Sequence, residues 1–202
     1  MSNREALFRD IENALATDAF EPAFQPVAHL SDGAIAGFES LARWRRAPEV
    51  LIEPAVFMEE AMARDLVGRI SQRIMRAACA TMARWRAERV DGVFFSVNVA
   101  GRDLERAEFV DEVLGVIEGA GIPATCIKIE VTEQQVLHNP ALVGRQLARL
   151  RIAGVKILFD DLVRGSRRSP GSRACRRTHS SSTRPSSARS WNVARITRSS
   201  PP

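Results

Sequence analysis

Apolar positions recur along this chain in two rhythms, one of three to four residues and one of short uninterrupted runs. From Arg4 to Ala19, Leu7, Ile11 and Leu15 return every fourth residue, which predicts a leading helix. Ala23–Leu30 and Ile35–Trp44 are apolar-rich runs flanking Ser31-Asp32-Gly33, and they predict a strand pair joined by a tight turn. Pro54 opens a helical stretch through Ile70, and a longer amphipathic helix is expected to continue to about Arg89. Val93–Val99 has the composition of a buried strand. Ala107–Ala120 predicts a helix ended by Gly121 and Pro123. Ile127–Thr132 predicts a strand, Pro140–Ile152 a helix closed by Gly154, and Val155–Phe159 one more strand. Short apolar strands alternating with helices of about a dozen residues imply parallel β/α units, and hence an α/β fold.

After Asp161 this texture stops. Arg, Ser and Pro supply 25 of the 41 residues in 162–202, and the hydrophobic period disappears. Such a segment buries too little apolar surface to fold alone, so a disordered basic tail is expected there. The division expected is a leading helix over 1–19, a folded domain over 20–161 and the tail over 162–202. Charge sharpens the division. The chain carries +5 overall, yet the tail holds ten Arg with no Lys and no acid. That leaves 19 basic and 24 acidic residues in 1–161, a net charge of −5. Basicity therefore belongs to the tail. It lacks interleaved aromatics apart from Trp191, which argues against a specific nucleic-acid arm. No apolar run is long enough to cross a bilayer, and Met1–Phe20 has no uncharged signal-peptide core, so a cytoplasmic location is expected. Cys79, Cys126 and Cys175 share no metal-like spacing and are expected to be buried thiols.

Chemistry enters at the ends of the strands. Glu39 lies in GFESLARW, Asn98 in FFSVNVA, Glu130 in IKIEVTE, and Asp160 with Asp161 in KILFDD. Each alone has a plain structural reading as an ion-paired strand residue, a turn former or a cap. An acid inside an apolar strand is costly unless paired or ligated, and here the pattern repeats on successive strands. In a β/α barrel such side chains converge at the C-terminal face, where barrel enzymes place their sites. Oxygen ligands of this kind suit Mg²⁺ or Mn²⁺, and two such ions assist water attack on a phosphodiester.

The segment FQPVAHLSDGAIAGFESLARW resembles the opening of EAL domains, with Glu39-Ser40-Leu41 where the signature has Glu-Ala-Leu. FSVNVAGRDL, IKIEVTEQQVL and GVKILFDD follow in the family's order and spacing, over roughly residues 20–161. The resemblance implies a modified, TIM-like (β/α) barrel that hydrolyses cyclic di-GMP to the linear dinucleotide with two divalent cations. By matching position, Glu39, Asn98, Glu130 and Asp160 correspond to ligands of the first metal, and Asp160 with Asp161 to acids serving the second. Glu39, Asp160 and Asp161 would thus carry the catalytic roles. Gln25, Leu41 and Arg43 correspond to substrate-contacting positions, the planar fork of Arg43 suiting a phosphate or guanine edge. Glu133 corresponds to an acid that steadies the loop after the fifth strand. Ser40 stands for Ala, and Phe24 for a common Tyr.

Beyond Asp161 the family continues with a Phe-Gly-Thr-Gly-type loop, a strand bearing a catalytic Lys, and further strands with another acid. This chain has Leu-Val-Arg-Gly and then the Arg/Ser/Pro tail, so a partial barrel lacking its closing strands, and an inactive chain, are expected. Reading the coding sequence one base back, with free choice of third bases, Gly165–Ser187 becomes GFASLAWLARLPADALKLDPSFV. That string has the family's loop and its Lys-bearing strand in order, so a frame slip just after Asp161 is the expected origin of the tail. A catalytically dead module that binds the nucleotide or a protein is the alternative. Dimerisation is expected only of the intact protein.

Overall fold

The computed structural model describes residues 3–48, 50–160 and 193–195, the side chains of Glu133, Asp160 and 193–195 excepted. Helix α1 (Asn3–Ala16) leads into an antiparallel hairpin of β1 (Phe20–His29) and β2 (Ile35–Ala47). The turn between them closes through His29 N–H to Ala34 O at 2.9 Å, with Gly33 at φ +72°. A short strand β3 (Val50–Ile52) folds back on β2. Then come α2 (Pro54–Ala63), α3 (Val67–Ala87), β4 (Phe94–Asn98), α4 (Gly101–Leu104), α5 (Phe109–Gly119), β5 (Ile127–Thr132), α6 (Glu133–His138), α7 (Pro140–Ile152) and β6 (Lys156–Asp160).

The sheet runs β6-β5-β4-β2-β1, and the pairs β2/β4, β4/β5 and β5/β6 are all parallel. A three-residue strand β7 (Val193–Arg195) pairs antiparallel with the outer edge of β1. The rest of the expected tail, and Asp161, lie outside the described residues. The parallel β/α arrangement expected from the alternation of elements is therefore what forms.

The single helix expected from Pro54 to Ile70 is instead broken. Asp65 takes φ +57°, Leu66 N–H reaches Ala61 O at 2.8 Å, and Asp65 N–H reaches Met62 O at 3.3 Å. This is a Schellman closure, normally marked by glycine; aspartate tolerates the left-handed conformation well enough to supply it. Four-residue periodicity runs straight across the break, which is why spacing alone missed it.

Aromatic side chains fix which face of the sheet meets the helices. Phe24 of β1, Phe38 of β2 and Phe95 of β4 all stand against Trp85 of α3, at centroid separations of 6.0, 5.1 and 5.1 Å. Phe20, Trp44 and Phe57 form a second group under α2. Cys79 and Cys126 are buried free thiols, as expected, and burial pushes the Cys79 thiol up to about 12. Because strand residues alternate, the face opposite Trp85 receives Gln25, Glu39, Leu41, Ser96, Asn98, Lys128 and Glu130. Gly37 leaves room on that face: a Cβ there would lie 2.4 Å from Phe94 O.

Candidate active site at the C-terminal strand ends

Parallel pairing brings the candidate ligands together. Glu39 is in register with Ser96, two residues before Asn98, and Asn98 is in register with Glu130. Asn98 Nδ2 donates to Glu39 Oε1 at 3.1 Å across 59 residues of sequence. Both carboxylates are buried, Glu39 at 3% and Glu130 at 6% exposure. Asp160 is in register with Thr132, two residues beyond Glu130, at the same end of the sheet. Its side chain and all of Asp161 lie outside the described residues. Gln25 stands opposite Glu39 on β1, while Leu41 and Arg43 continue along the same face of β2. Arg43 Nη1 donates to Ala42 O at 2.9 Å and its Nη2 lies 4.0 Å from Glu53.

Glu133 is the first residue of α6, a short helix where the resemblance implies a loop after the fifth strand. Thr132 and Gln135 cap this helix reciprocally: Gln135 N–H donates to Thr132 Oγ1 at 3.4 Å, and Thr132 N–H to Gln135 Oε1 at 2.9 Å. The signal was the sequence Thr-Glu-Gln-Gln, a capping box. Gln135 Nε2 also donates to Val99 O at 3.1 Å, tying α6 to the end of β4 beside Asn98.

The same face carries a basic pair that spacing did not reveal. Lys128 and Lys156 are in register on β5 and β6. The ammonium of Lys128 lies 3.1 Å from the centre of the Phe94 ring, a cation–π contact in a dry setting. Burial draws its pKa down to about 8, with Lys156 adding to the fall and Glu130 opposing it.

A cavity of about 760 Å³ opens beside Asn98, between the ends of β2 and β4 and the α2–α3 junction. Leu41, Met58, Met62 and Ile74 give it apolar walls, and Asp65, Arg69, Arg102, Asp103 and Arg106 its charges. Nothing in the linear pattern marks it, because α2, α3, β4 and α4 contribute to it jointly.

Does this set fit divalent cations? Among the described residues no three His, Cys, Asp or Glu side chains form a metal-sized group. The described members of the candidate set are two carboxylates and an amide, Glu39, Glu130 and Asn98. Hard oxygen donors on buried carboxylates at adjacent strand ends are the donor type for Mg²⁺ or Mn²⁺, so the described members fit.

A largely parallel sheet flanked by helices, with two acids and an amide at its C-terminal strand ends, places the protein in the α/β class. Within that class the chain belongs to the EAL domain family, whose profile matches residues 9–170. Curated relatives include the cyclic di-GMP phosphodiesterase NbdA of Pseudomonas aeruginosa, 31% identical over 156 residues. That alignment takes in 77% of this chain and 20% of the relative. The cyclic di-GMP phosphodiesterase PA2567 of the same organism is 29% identical over 160 residues, covering 79% of this chain and 27% of that protein. This chain thus spans about a quarter or less of these relatives. Among solved structures, the PaMucR phosphodiesterase in complex with c-di-GMP superposes with a TM-score of 0.74 at 26% identity. It covers 79% of this chain and 65% of that one. The EAL enzyme Bd1971, bound to cAMP and cyclic di-GMP, gives 0.71 at 25% identity over 79% of this chain and 44% of its own. No helix among the described residues is long and apolar enough to cross a membrane.

Proposed function

We propose that this chain carries the substrate-binding and first-metal half of an EAL-type phosphodiesterase, one that opens cyclic di-GMP to the linear dinucleotide. The observation that carries the reading is the 3.1 Å contact between the Asn98 amide and the Glu39 carboxylate, with Glu130 in register beside them. The names of similar proteins, phosphodiesterases of cyclic di-GMP, support the substrate.

In this reading Glu39, Asn98, Glu130 and Asp160 hold one Mg²⁺ or Mn²⁺, and Asp160 with Asp161 serve a second. When bound, the two cations neutralise the phosphodiester and acidify the attacking water. The chain's own groups do the rest. Asn98 fixes the plane of the Glu39 carboxylate by its amide hydrogen. Arg43 offers its planar fork to a phosphate. Leu41 packs on the nucleotide, Gln25 orients it, and Glu133 steadies the segment after β5. One base of the nucleotide enters the cavity beside Asn98. Homodimers are a property of the intact domain.

Residues 162–202 contain no Lys and no acid. The family's catalytic Lys and later acid therefore have no counterpart there, and a chain of this sequence binds without turning over. A frame slip just after Asp161 is the origin we assign to that tail. The test compares cyclic di-GMP hydrolysis, with Mg²⁺ or Mn²⁺, by this chain and by a version with the restored frame. Activity confined to the restored version is expected. Turnover by the present chain would overturn the assignment of the missing residues. Binding without turnover by both would make the domain a sensor instead.

A further inference from the structure

We propose that Asp103 is the residue that selects guanine, accepting the N1–H and N2–H donors of one base in the cavity beside Asn98. The proposal rests on the phosphodiesterase reading above and names the contact by which that site recognises its substrate.

Two acids line the cavity among the described residues, and they differ in kind. The side chain of Asp65 is 71% exposed and paired with Arg102 at 3.1 Å. Asp103 is 7% exposed, within reach of apolar walls between which a flat base could lie. Its nearest cation is Arg106, at 3.8 Å, beyond a direct hydrogen bond. Arg106 is committed elsewhere: its Nη2 bonds Glu112, which also accepts from Gln72 at 3.2 Å, and its carbonyl is held by Gln146 at 2.8 Å. The carboxylate is thus incompletely neutralised in a dry wall. Burial lifts its pKa above the usual aspartate range, although Arg106 and the Ala100 backbone pull the other way.

The seat of this carboxylate is built by the opposite wall. A Cβ on Gly68, in the first turn of α3, would lie 2.2 Å from Asp103 Oδ1 and 2.9 Å from Cγ. Only glycine admits the side chain here, at a helix position where glycine costs about 1 kcal/mol relative to alanine. Guanine presents two adjacent N–H donors on its Watson–Crick edge, and a carboxylate with two acceptor oxygens meets both. Adenine presents a ring-nitrogen acceptor at the corresponding place, leaving the carboxylate unpaired. Sites built to hydrogen-bond a substrate group reject analogues lacking it by a factor of roughly 10⁴.

The experiment is calorimetric titration of the full chain with cyclic di-GMP and with cyclic di-AMP, for the parent and for Asp103→Asn. The parent is expected to prefer cyclic di-GMP by at least about a hundredfold, a lower bound on this discrimination. Asp103→Asn should weaken cyclic di-GMP binding by about tenfold or more, one lost charged hydrogen bond, and leave cyclic di-AMP nearly unchanged. If the variant keeps the parent's selectivity, Asp103 is only a cap for α4 and the proposal falls while the phosphodiesterase reading stands. If the parent binds neither nucleotide, both fall. Should Asp103→Asn fail to fold, Gly68→Ala displaces the carboxylate without removing it and must also lower the selectivity; selectivity intact in that variant overturns the proposal.

Discussion

Gly68 and Asp103 should show a reversal of sign in their energetic coupling. Replacing a helical glycine by alanine ordinarily stabilises by about 0.5–1 kcal/mol, because the unfolded chain loses freedom. Here the new methyl would stand 2.2 Å from one carboxylate oxygen and 3.0 Å from the other, so the whole short side chain must move. Asp103 is buried and its carboxylate has no flexible stem with which to give way. Overpacking of this kind costs about 1–3 kcal/mol, which outweighs the gain and leaves Gly68→Ala destabilising by roughly 1–2 kcal/mol. With Asp103→Ala as background the obstacle is gone, and the same change should stabilise by about 0.5–1 kcal/mol. The double-mutant cycle then returns a coupling of about 1.5–3 kcal/mol, toward the upper end for residues in contact. Urea unfolding of the four proteins, followed by tryptophan fluorescence, measures it. Equal stabilisation by Gly68→Ala in both backgrounds would refute the packing account.

Three further expectations follow from the packing and the charges. Phe95 is fully buried against Phe24, Phe38 and Trp85, and Phe95→Ala should cost about 3–5 kcal/mol in the same unfolding assay. A loss below 1 kcal/mol would mean that the sheet–helix contact is not as described. Thr132→Ala removes the side-chain acceptor at the start of α6 and should cost about 1 kcal/mol, with the loss of amide protection confined to 133–138. Lys128 titrates at about 8 in the fold against an ordinary value of 10.5, so the unfolded chain holds more protons between those values. Its destabilising contribution is full below about pH 8 and fades as the pH climbs toward 10.5. Stability of the parent minus that of Lys128→Met should therefore rise with pH across this window, and a flat difference would show that the ammonium is not desolvated.

The parts of this fold that a linear reading recovers are those set by local rules. β5 and α7 fall where apolar runs, Pro140 and Gly154 place them, because strand composition and helix punctuation act within a few residues. Glu39, Asn98 and Glu130 could be singled out because a polar group in an apolar strand is anomalous wherever the strand goes. What escaped the reading depends on contacts between distant segments or on atypical residues in standard roles. Asp65 ends α2 where glycine is the usual marker, and β3 is three residues held only by pairing with β2. α6 was signalled by its capping box but is too short to show a period. The cavity and Asp103 have no linear signature at all, since Gly68 and Asp103 acquire meaning only when α3 and α4 are brought together.

The contact at Glu39 also has a temporal side. Gln25 faces Glu39 across a hairpin whose turn spans a handful of residues, whereas the Asn98 amide reaches the same carboxylate only by closing a loop of 59. Loop-closure entropy grows with that separation, so the hairpin is the cheaper structure to form first. During refolding, the amides of His29 and Gly33 are expected to gain protection from exchange before that of Val99, which bonds Glu130 O. Protection arriving in the reverse order would rule this out. The carboxylate is thus set on its strand early and acquires its amide partner only when β4 joins the hairpin, so assembly of the site reports that long-range step of folding.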